Sequence, residues 1–379
     1  MPATHPETLV VGASISGLAM AACLQRQGIE YTLIEKESET AQPWRNHYER
    51  LHLHTSKRHS NLPYKKFGPS IPRYPSRQQV IDYLEDYQQT FNIRPLLNTR
   101  ATSIRREDDH WITTTANGQF VSKHLVMATG AYGRPRPINI NGVETFTGKV
   151  LHSQDYRTAS DYTGQRVLVV GFGNSACEIA IDLCEKGLEP AMSVRSPVNV
   201  IPRDVLGIPV LELSLALRHL KPSLADRISK PLVDLLIGDI TTLGLRKKPY
   251  GPLEQIQREA AAPVLDIGTL RLIRQGHIKI YGAIDRVEGE TVHFKDGKSA
   301  AFDVIVAGIG YNRDDAQIIA IDKERFDDLR RPVDQQQFFG KDGLYFCGYW
   351  VSPTGQIREI GLDAQKIAQH ISKESRKQD

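Results

Sequence analysis

The chain has 379 residues, too many for one typical core, and its 40% hydrophobic and 24% charged residues are those of a folded globular protein. Its 48 basic against 44 acidic side chains leave a net charge of +4, which argues against a dedicated nucleic-acid binder. The four cysteines, at 23, 177, 184 and 347, fit neither a CxxC redox pair nor a metal-ligand pattern, so reduced thiols, no metal and a cytoplasmic location are expected.

The first element is TLVVG (8–12), a short β-branched strand, followed by the turn GASISG (12–17) and a helix closed by Gly28. Glu7 with no Lys or Arg before it is wrong for a signal peptide, and two Gly and two Ser spoil a spanning helix, so no membrane partner is expected. The next strand, YTLIEK (31–36), ends in Glu35, 23 residues after Gly12, where a carboxylate would accept hydrogen bonds from an adenosine ribose. Gly12, Ser14, Ile15, Ser16 and Gly17 are thus candidate pyrophosphate-binding residues, with Glu35 and Lys36 at the adenosine.

A second copy starts at RVLVVG (166–171), turns through GFGNSA (171–176), with Ala176 in place of a third glycine, and runs into a helix closed by Gly187. Gly171, Gly173, Asn174 and Ser175 are its candidate cofactor residues. Its following strand ends in Arg195 and Ser196, a cation and a hydroxyl suited to a 2′-phosphate, which selects NADPH. Two unlike turns on one chain suggest FAD at the first and NADPH at the second. HLVMATG (124–130), carrying Thr129 and Gly130, AFDVIVAGIGY (301–311), carrying Gly310 and Tyr311, and GLYFCGYW (343–350) supply strands that complete the fold.

The expected class is α/β: two Rossmann-like dinucleotide-binding domains in a three-layer β/β/α, glutathione-reductase-like arrangement. The FAD domain takes residues 1–150 and 300–379, and the NADPH domain, 151–299, is inserted in it. Residues 204–245 read as a helical cap, Arg246-Lys247-Lys248 as a solvated loop, and Cys177 as a thiol within reach of a helix dipole.

FTGKVLHSQDYR (146–157) matches the FxGxxxHxxxY pattern of class B flavin-containing monooxygenases, and Tyr156, where Baeyer–Villiger enzymes carry Trp, favours the flavin-monooxygenase branch. Through YERLHLH, RVLVVGFGNSACEIAIDLCEKG, VIPRDVLG, LGLRKKPYGPLE and PVLDIGTL the chain most resembles the YUCCA group of that family. The resemblance implies an NADPH- and dioxygen-dependent FAD monooxygenase working through a C4a-(hydro)peroxyflavin. It would decarboxylate an arylpyruvate, such as indole-3-pyruvate to indole-3-acetate.

The resemblance also implies site residues. Trp44, Arg45, His54 and Thr55 would lie at the flavin, with His54 and Thr55 serving the chemistry, Thr354 and Gln356 approaching from the C-terminal segment, and Asn174 acting at the second turn. His152 and Tyr156 read as braces rather than catalysts. His54 stands where many flavin monooxygenases have Asn, and Gly308-Ile309-Gly310-Tyr311 replaces the usual ATGY. Two other readings share the motifs: oxygenation of nitrogen or sulfur in a small soft nucleophile, and an NADPH-dependent flavoprotein reductase or oxidase. Missing redox cysteines exclude the disulfide-reductase form of the latter.

Overall fold

Thr8 to Val11 carry no polar alternation, as a strand covered on both faces requires. In the computed structural model, which describes residues 3–130, 133–312, 318–321, 325–326 and 339–376, they form β1 (Thr8–Val11) and all four are buried. The chain divides into two units: residues 1–45, 55–134 and 312–379, and residues 46–54 and 135–311.

In the first unit β1 leads into α1 (Ile15–Arg26), then β2 (Tyr31–Ile34) and, after an excursion, β3 (His124–Met127). With the late strand Leu344–Phe346 they make a parallel sheet ordered β2, β1, β3, Leu344–Phe346. The excursion holds an antiparallel sheet of Ala101–Glu107, His110–Thr115 and Gly118–Ser122. Its Ile104, Trp111 and Phe120 form one core with Leu9, Leu125 and Leu344 of the parallel sheet.

The second unit repeats the plan. Strands β4 (Lys149–His152), β5 (Val167–Val170), β6 (Ala191–Ser193), β7 (Lys279–Tyr281) and β8 (Val304–Ala307) form a parallel sheet ordered β7-β6-β5-β8-β4, with α2 (Asn174–Glu185) following β5. An antiparallel sheet, Ile284–Glu288, Thr291–Phe294 and Ser299–Ala301, buries Val287, Val292 and Phe294 against Leu168 and Ile305. Ile237, Ile240 and Leu245 join the core that contains Met192 and Leu270, so part of 204–245 caps this unit.

The division falls elsewhere than the expected boundaries at 150 and 300. β4 and β8 pair in register, Lys149 opposite Val304, so both strands belong to the second sheet and the chain crosses after 134 and after 311. Residues 46–54, expected in the FAD domain, belong to the second unit for a reason given by their side chains, described next.

Candidate functional site

The first turn is closed by contacts that admit only glycine. A Cβ on Gly12, at φ +104°, would stand 2.8 Å from the Ala128 carbonyl oxygen, and one on Gly17 would stand 1.8 Å from that of Gly12. Ser14 caps α1 by backbone only, its side chain making no cap hydrogen bond, and no acidic residue occupies the first turn. The first amides of α1 therefore stand open to an anion. At the end of β2, Glu35 is buried and fixed: Oε2 accepts from the Ala13 N–H at 2.6 Å and Oε1 from the Glu37 N–H at 3.1 Å. A carboxylate has about four acceptor sites, so lone pairs remain for ribose hydroxyls. Lys36 is exposed, 3.6 Å from Glu37. This donor set fits the adenine half of a dinucleotide.

The second turn has the same build. Gly171 lies at φ +116° with a would-be Cβ 2.5 Å from the Gly308 carbonyl oxygen. Gly173 is the N-cap of α2, and a Cβ there would meet nothing within 4 Å. Arg195 and Ser196 follow β6 and are exposed. The Arg246 guanidinium donates to the Arg195 carbonyl oxygen, and the Val198 N–H donates to the Arg246 carbonyl at 2.8 Å. Arg246 and Lys247 are exposed, as in a solvated loop, and the segment is also paired with the chain after β6, which sets a second cation beside Arg195. Only the non-local pairing reveals it.

Asn174, expected at the chemistry and at the second turn, has its side chain engaged within its own unit. Its Nδ2 donates to the Pro263 carbonyl at 3.2 Å and its Oδ1 accepts from the Leu265 N–H at 2.8 Å, so both polar atoms tie α2 to the strand Val264–Asp266. Cys177 is not acidified by the helix dipole: it is buried, and burial pushes its thiol up. Burial likewise raises Cys23 to about 12 and Cys184 to about 11, and all four cysteines are free, so none is a poised thiolate.

Residues 46–54 are knitted to α2. The buried Tyr48 is hydrogen-bonded to Ser175, and its ring packs edge-on against Tyr156 at 6.4 Å. Arg50 grips Glu185 through Nε and Nη2, each at 2.8 Å. His54 Nε2 lies 2.5 Å from Oε1 of Glu178, a carboxylate only 1% exposed. Glu178 lay unremarked inside a helix sequence, since nothing local marks it.

The FxGxxxHxxxY residues are engaged in packing and hydrogen bonds within their own unit. Phe146 packs with the antiparallel sheet, and a Cβ on Gly148 would stand 2.2 Å from the Asp303 carbonyl, so glycine lets β4 close on β8. His152 donates from Nε2 to the Gly310 carbonyl at 3.1 Å and accepts the Gln154 N–H on Nδ1. Burial lowers its pKa, so the ring is a neutral strut. Tyr156 donates to Asp182 at 2.7 Å, with burial first and the carboxylate next raising its phenol pKa. Gly310 is at φ +83°, and Tyr311 meets His152 edge-on at 5.1 Å.

Other expected contacts are partly engaged inside the first unit. Arg45 is held by Glu39 at 3.0 Å and Glu85 at 2.5 Å, and Trp44 sits half-buried in the short helix Gln42–Arg45. Thr55 shares a hydrogen bond with Ser60 at 2.7 Å. Thr129 bonds the Tyr349 hydroxyl, and Gly130 follows at φ +80°. Thr354 is buried and bonded to Glu359, while Gln356 opens the helix Gln356–Ser375 and donates to the Gly348 carbonyl at 3.0 Å. Glu359 lies in that first turn, where its charge offsets the partial positive charge of the helix N-terminus.

The profile of the pyridine nucleotide-disulphide oxidoreductase family matches residues 9–205. The chain is 37% identical to "Indole-3-pyruvate monooxygenase YUCCA6" of Arabidopsis thaliana, over 96% of this chain and 90% of that protein. It is 33% identical to "Indole-3-pyruvate monooxygenase YUCCA1" of Oryza sativa subsp. japonica, over 99% and 93%. The chain belongs to the YUCCA family of monooxygenases. Like the rest of that family it is an NADPH- and FAD-dependent monooxygenase acting on a small molecule and dioxygen. Solved structures show the same fold. A flavin-containing monooxygenase from Stenotrophomonas maltophilia superposes with a TM-score of 0.71 at 18% identity, covering 98% of this chain and 99% of that one. An oxidized steroid monooxygenase bound to NADP gives 0.76 at 17%, covering 98% and 85%. All four cysteines of this YUCCA-family chain are free. Among its described residues no helix is long and apolar enough to cross a membrane.

Proposed function

We propose that this enzyme oxidatively decarboxylates an arylpyruvate, indole-3-pyruvate being the first candidate. The whole-chain likeness to proteins named indole-3-pyruvate monooxygenases carries this reading. The balance is 2-oxo acid, NADPH, a proton and dioxygen giving the acid shortened by one carbon, carbon dioxide, NADP and water. FAD, when bound, accepts the hydride and supplies the centre at which dioxygen is reduced. The protein's own tasks are then to hold two dinucleotides, exclude water and manage one proton.

On this reading the first unit takes FAD, with Gly12 to Gly17 around the pyrophosphate and Glu35 accepting from the ribose. The second takes NADPH, with Gly171 to Ser175 around its pyrophosphate. Arg195, Ser196 and the neighbouring Arg246 would bind the 2′-phosphate. Opposite charge at equivalent strand ends, Glu35 against Arg195, supports that allocation. His54, with Nε2 already engaged, is our choice for proton handling, and Thr55, Trp44, Thr129, Thr354 and Gln356 shape the first unit's cofactor surroundings. Free thiols throughout support a cytoplasmic location.

Aerobic incubation with NADPH and indole-3-pyruvate should give indole-3-acetate in proportion to NADPH oxidised. NADPH oxidation that yields hydrogen peroxide alone would replace this reading with a reductase or oxidase. Arg195→Ala should raise KM for NADPH about thirtyfold and leave that for NADH almost unchanged, since a charged hydrogen bond to phosphate contributes about 2 kcal/mol. Equal losses with both nucleotides would move the 2′-phosphate elsewhere.

A further inference from the structure

His54 and Glu178 stand 124 positions apart in sequence and 2.5 Å apart in space. A carboxylate buried to 1% exposure needs donors to offset its lost hydration. Glu178 has few. Its Oε2 makes no hydrogen bond, with Arg50 Nη1 at 3.5 Å, and Arg50 directs two N–H groups to Glu185 instead. Of the other groups that feel its charge, Tyr48 and Cys177 are kept neutral by burial. The hydrogen bond to His54 is therefore the one that Glu178 makes. A carboxylate oxygen accepts, so the hydrogen belongs to Nε2, and among the described residues Nδ1 is the ring nitrogen with no hydrogen bond. Glu178 lies four residues after Asn174, about one helical turn into the helix that opens at the second nucleotide turn.

We propose that Glu178 is a positioning residue for His54: it holds the imidazole in the Nε2–H form and reserves Nδ1 for the proton that the oxygenation consumes. Glu178 acts through His54, the group it is bonded to. The assignment rests on the reading of His54 as the proton-handling group.

Nitrogen NMR of holoenzyme carrying isotope-labelled histidine tests it, with the His54 signal identified by its loss in His54→Asn. The wild type should show a protonated Nε2. Glu178→Gln should populate both ring tautomers, because an amide donates as well as accepts. The same variant should keep its KM for NADPH yet lose about tenfold in acid product per NADPH, the balance appearing as hydrogen peroxide, a part of what a positioned acid or base contributes. An unchanged tautomer in Glu178→Gln, or an unchanged product-to-peroxide ratio, overturns the assignment. Should that variant not fold, a wild-type ring with Nε2 bare overturns it alone. Failure of the arylpyruvate reading shows instead as absence of acid product in the wild type, and leaves the tautomer comparison intact.

Discussion

Gly308→Ala should destabilise the second unit by about 3 kcal/mol, the upper range for an extra methyl in a closed core, and Ala176→Gly should restore most of it. A Cβ on Gly308 would stand 2.8 Å from the Ala176 Cβ and 3.2 Å from its Cα. Neither atom belongs to a flexible side chain, so backbone must move. This explains two departures at once. The turn has Ala176 where its pattern has glycine, and the later segment has Gly308 where the family has the alanine of ATGY. One methyl fits between these two backbones, and here it sits on 176. Denaturant unfolding of both single variants and the double variant, as a cycle, should give a coupling of about 2 kcal/mol, within the range for residues in contact. Additive effects would show that the close approach is not what selects glycine.

The second large effect is on acid stability. His124 is 3% exposed, and among the described residues neither ring nitrogen has a hydrogen-bond partner. Burial first, then the Lys123 charge, lowers its pKa from 6.5 to about 4. Between those values the unfolded chain binds a proton that the folded chain refuses, so stability falls as pH drops through that window. The difference of 2.5 units (6.5 minus 4), at about 1.4 kcal/mol per unit, gives about 3 kcal/mol lost by pH 4. His124→Leu should remove that part of the pH dependence while changing stability less near neutrality. Denaturant midpoints for both proteins across the window check it, and parallel curves would exclude His124 as the source.

Both effects turn on contacts invisible in local sequence. The strands and helices around Gly12 and Gly171 were legible because a Rossmann turn is specified within about thirty residues: an apolar strand, a glycine turn, a helix. Glu35 and Arg195 were legible for the same reason, each closing the strand after its turn. The pairing of the exposed Arg246 was not legible because the Arg195 carbonyl it meets lies 51 positions away, and Cys177 was misread because helix position suggested acidity whereas its surroundings imposed the reverse.

The sequence by itself determined a two-turn dinucleotide protein of the α/β class, its cofactors and its family, since these rest on short patterns whose physics is local. Tertiary structure decided where the units divide, that the Asn174 side chain ties its helix to the strand Val264–Asp266, and that His54 is held by a buried carboxylate. Burial and pairing across long separations set those outcomes, through desolvation, steric closure and hydrogen bonds that no stretch of chain contains alone.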